Sequence, residues 1–135
     1  MADERVAPEV ALAEFERMCA ARRVDIDESK MSVADKKQFA DRRKKAVDAI
    51  VAGTLVIADD GTPTFTPENP PKGVTAITFH EATGADFMAA DKFEGDISKT
   101  VAVAHSMTRL MGGEISRLRM RDFNLCLALA NLFLD

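Results

Sequence analysis

The chain has 135 residues, 47% of them hydrophobic and 30% charged, with a formal net charge of −4 at pH 7. That length supports one domain with a single core, and the balance is that of a globular protein. The charge divides evenly, −2 on residues 1–73 and −2 on residues 74–135, so neither half is a basic nucleic-acid module by charge.

Taken in order, residues 9–22 read as a helix. Pro8 stands near its first turn, where a missing N–H costs least, and Val10, Leu12, Phe15, Met18 and Cys19 form the apolar side. Arg22 and Arg23 suit the negative pole of that helix. An acidic connector, Val24 to Lys30, leads to Ser32-Val-Ala-Asp35, which resembles a capping box with Asp in place of Glu. A second helix is expected from there to about Ala52, stopped by Gly53, with Phe39, Ala40, Ala46, Val47, Ile50 and Val51 inward. Between Asp35 and Lys45 lie six basic and two acidic residues, a solvated face or a docking surface for an acidic partner or nucleic acid.

Residues 54–66 read as a β-hairpin turning at Asp60-Gly61. The run Pro67 to Gly73 holds no regular pattern and reads as a linker between residues 1–66 and residues 74–135. Residues 74–80 alternate as a strand, with Val74, Ala76 and Thr78 on one side and Ile77 and Phe79 on the other. A short helix follows from Thr83 to about Asp91. Asp96 is a candidate N-cap for an amphipathic helix over residues 97–111, with Ile97, Val101, Val103, Ala104, Met107, Leu110 and Met111 sharing one half and Gly112-Gly113 as its stop. The resulting fold class is α+β and mostly helical: a small antiparallel sheet, made of hairpin 54–66 and strand 74–80, packed by four or five helices.

The closing helix is the most apolar. On a helical wheel over residues 120–135, Arg121, Asn124, Asn131 and Asp135 fall within roughly 80°, with Ala128 among them, and apolar side chains fill about 240°, far more than the ~100° stripe of a surface helix. It is too short for a membrane span, and Asn124 and Asn131 interrupt it. The rest of the chain wraps this helix, or part of it faces another protein. Met120, Phe123, Leu127 and Leu134 make one stripe, assigned to the core. Leu125, Leu129 and Leu132 make a second, assigned with Phe133 to a partner or to self-association. Asp122 falls inside the apolar arc in the first turn, where free N–H groups and the positive dipole end suit a structural cap.

No catalytic constellation emerges. His80 and His105 are the only imidazoles, and no metal-ligand spacing, nucleophile elbow or phosphate loop accompanies them. Cys19 and Cys126 lie in helix-like apolar settings and read as buried thiols of a reducing compartment, and the N-terminus shows no apolar signal core. With eight phenylalanines and no Trp or Tyr, the chain is poorly equipped to stack sugars or bases. A helix-turn-helix reading of residues 97–121, with Arg117, Arg119 and Arg121 reaching DNA, meets two objections: the arginines alternate, and the turns after them are almost wholly apolar. These readings exclude no binding function and point to no enzyme, cofactor or metal.

From residue 74 onward the pattern resembles the small tail assembly chaperones of tailed bacteriophages and prophages. One stretch is Ile77-Thr-Phe-His-Glu-Ala-Thr-Gly-Ala-Asp-Phe87, similar to the family's strand, acidic-Pro-Thr-Gly-like turn and short helix, with Ala82 where Pro is expected. The other is Met107-Thr-Arg-Leu-Met-Gly-Gly-Glu-Ile-Ser-Arg-Leu-Arg-Met-Arg-Asp-Phe123 with the Phe133-Leu134 ending, similar to its helix, glycine break, turn, Asp-aromatic pair and apolar helix. Arg119 stands where a Ser, Thr or Asp cap is usual. The resemblance implies a late, non-enzymatic protein of the host bacterial cytoplasm that holds the tape measure protein until tail tube subunits polymerise around it. The alternatives are a structural tail or baseplate protein and a small DNA-binding regulator.

Overall fold

The structure is a computed structural model that describes residues 6–68, 70, 72, 74–81, 83–110 and 114–134, without the side chains of Phe87, Ala90, Lys92 and Leu134. It is an α+β fold, mostly helical, in which α1 (Pro8–Ala21), α2 (Val33–Ala52), α3 (Gly84–Met88), α4 (Asp96–Thr108) and α5 (Met120–Leu134) surround a three-stranded sheet of β1 (Leu55–Ile57), β2 (Pro63–Phe65) and β3 (Ile77–Thr78).

Local chemistry explains most boundaries. Pro8 opens α1, as its absent N–H allows. Ala11, Phe15, Met18 and Cys19, at helical spacing, are wholly buried, whereas Val10 and Leu12 face outward. The Ser32 hydroxyl accepts from the Asp35 N–H at 3.1 Å to start α2, and Gly53, left-handed at φ 81°, ends it. The expected end of α4 at Gly112-Gly113 lies outside the described residues. The helix stops earlier: Arg109 turns left-handed at φ 60°, and the Leu110 N–H bonds back to the carbonyl of His105. Its start also differs, because Asp96 lies inside the first turn and Gly95 precedes it.

Both pairings of the sheet are antiparallel, with Leu55 opposite Phe65 and Phe65 opposite Ile77. Inward Leu55, Ile57, Phe65, Ile77 and Phe79 are buried, and Thr64 and Thr78 meet on the other side, hydroxyl to hydroxyl at 3.1 Å. The hairpin turns at Gly61, φ 88°, and its tip lies against the end of α1, where a Cβ on Gly61 would stand 2.3 Å from that of Ala21. Arg17 holds the same contact from α1. Its guanidinium donates to the carbonyls of Ile57 at 2.9 Å and Ala58 at 2.7 Å, covering the end of edge strand β1.

β2 and β3, which precede and follow residues 67–73 in the chain, share one sheet, and a continuous core runs from Ala11 and Phe15 through Phe39, Ile50 and Phe79 to Met107 and Leu129.

Helix α5 packs on α2 and α4, and this reverses the assignment of its two stripes. Leu125, Leu129 and Leu132 are 6%, 1% and 3% exposed, while Met120 is 67% exposed and Phe123 and Leu127 are half-buried. The wheel reveals that α5 has more apolar surface than one neighbour can cover, but only α2 and α4 decide which part is covered. Leu129→Ala should therefore cost about 2–5 kcal/mol in urea unfolding, the range for buried large-to-small changes, and Met120→Ala should stay within ~0.5 kcal/mol. Gly61→Ala should cost about 1–3 kcal/mol through overpacking against Ala21, with backbone strain added.

Candidate functional site

The partner surface expected at Leu125, Leu129 and Leu132 is core. Phe133 is half-buried, its ring 6.2 Å from that of Phe79 and 5.3 Å from the Arg22 guanidinium, so it too is engaged within the chain. The uncovered apolar surface lies instead where α4 turns away from the core. Val103, Ala104 and Met107 of α4 are buried, but Ile97 is 67% exposed. Ile97, Val101 and His105, spaced four apart, form one wall of an open groove of about 800 Å³, with Phe93 and Ala89 at its end and Leu110, Ser116 and Phe123 opposite. Phe93 is 47% exposed, and Met88 and Met120 are each exposed to about two-thirds. The sequence placed Ile97 and Val101 on the inward half of α4 because the apolar arc is continuous; it is simply wider than the core that receives it. The exposure of Phe93, in the polar break before α4, was the available signal.

A second, more polar hollow of about 390 Å³ lies between the connector and α2, where Asp25, Asp27 and Asp35 face Lys30 and Arg42 above Phe39 and Leu132. Its charges are mixed, and the Asp27 carboxylate is already engaged by the Ser29 N–H and hydroxyl. No group of three or more His, Cys, Asp or Glu is placed to hold a metal among the described residues. His105 Nδ1 lies 3.1 Å from the Leu110 carbonyl, so this ring nitrogen carries the proton in that contact. Both thiols are buried, and desolvation pushes Cys19 up to about 12 and Cys126 up as well, which leaves neither as a thiolate nucleophile.

Two buried carboxylates serve the walls of the groove. Asp86, on α3, accepts from the Thr83 N–H at 2.8 Å, the Thr83 hydroxyl at 3.2 Å and the Ser106 hydroxyl at 2.5 Å, which fastens the start of α3 to α4. Burial raises its pKa, but these hydrogen bonds and the Arg109 charge outweigh burial and hold it below the usual value. Asp122, expected as a cap for its own helix, accepts the Glu68 N–H at 3.3 Å and so ties Glu68 to the first turn of α5. Burial pushes its pKa up, and the Glu68 carboxylate adds to that against the pull of that N–H, Arg121 and Arg119.

The α5 geometry bears on the DNA-binding alternative. Arg117 ends a short 3₁₀ turn, and α5 buries Leu125, Cys126, Leu129 and Leu132, leaving no broad polar face of the kind a recognition helix needs. No helix among the described residues is long and apolar enough to cross a membrane. Comparison with family models, curated proteins and solved structures returns no match to this chain.

The two carboxylates should give opposite pH effects. Asp86, with its pKa lowered in the folded state, contributes stability above the ordinary aspartate range that is lost as pH falls through its folded value. Asp86→Ala should cost about 1–3 kcal/mol at neutral pH. Asp122, with its pKa raised, favours the fold while protonated, and that contribution is lost as pH rises from the ordinary aspartate value through its folded value. Asp122→Asn should leave neutral-pH stability unchanged or higher, with a flatter melting profile across mildly acid pH.

Proposed function

We propose that the protein is a non-enzymatic tail assembly chaperone of a tailed phage or prophage. It binds the tape measure protein in the host bacterial cytoplasm and keeps it dispersed until tail tube subunits enclose it. The observation that carries this reading is the apolar groove between α4 and the start of α5. It lies within residues 74–135, the part of the chain that resembles this family, and its lining includes the exposed apolar side chains of Phe93 and Ile97. A chaperone for an aggregation-prone chain needs such a surface. Covering the exposed parts of Phe93 and Ile97 is worth about 1–2 kcal/mol each, enough to contribute to reversible holding. No nucleophile, general base or metal cluster is required.

Co-expression with the tape measure protein tests it. The wild-type chain should keep the tape measure protein in the soluble fraction and co-purify with it. Phe93→Ser and Ile97→Ser should each lower the captured amount about tenfold while leaving thermal stability within ~0.5 kcal/mol, as exposed positions do. A tape measure protein equally soluble without the chain, or capture indifferent to both substitutions, would sink the proposal.

A further inference from the structure

We draw no further inference here: the strongest candidate, the open apolar groove between α4 and the start of α5, belongs to the site already described, and nothing in the structure shows what covers it.

Discussion

The Arg22 guanidinium is the junction on which the arrangement of elements depends. It sits just past the end of α1, donates to the Phe79 carbonyl at 2.7 Å and the Thr62 hydroxyl at 3.3 Å, and lies over the Phe133 ring. One cation thus touches the hairpin, the residue after β3 and the end of α5. Burial lowers its pKa, and its Nη1 is buried with no hydrogen-bond partner among the described residues. Such a group is tolerated because two acceptors and an aromatic face compensate for lost hydration. It also gives the first half of the chain a specific way to register against the second, which apolar packing alone defines loosely.

That registration joins the elements before and after residues 67–73. Residues 67–73 have the composition of a spacer, and composition says nothing of what lies on either side. Phe79 meets Phe133 ring to ring at a tilt, β3 pairs with β2, and Asp122 takes the Glu68 N–H, so contacts join the two sides. The starts of α1 and α2, the Gly53 stop and the Asp60-Gly61 turn were legible because each depends on a few adjacent residues. The end of α4 was not, because Arg109 takes a left-handed conformation in a chain with two glycines soon after it.

The face of α5 that reaches solvent was illegible for a different reason. A helix with apolar side chains over most of its circumference specifies burial but not direction. Leu125, Leu129 and Leu132 turned inward because α2 and α4 lie on that side. The cost of that choice appears at the other edge, where Phe123 joins Ile97 and Phe93 around the groove. The excess of apolar residues seen in the sequence was thus correctly sensed and wrongly located. Covering the α5 stripe spends the inward part of the α4 arc and leaves its margin in the open.

The two cysteines give the molecule an internal clock. Cys19 is wholly buried on α1 and Cys126 wholly buried on α5, so each thiol is hidden by one of the two halves that Arg22 joins. A thiol-modifying reagent can reach either one only when its helix lifts from the core, and its rate of incorporation counts those openings. Comparing the two rates distinguishes a chain that opens as one unit from one in which α5 detaches while α1 and the hairpin stay docked.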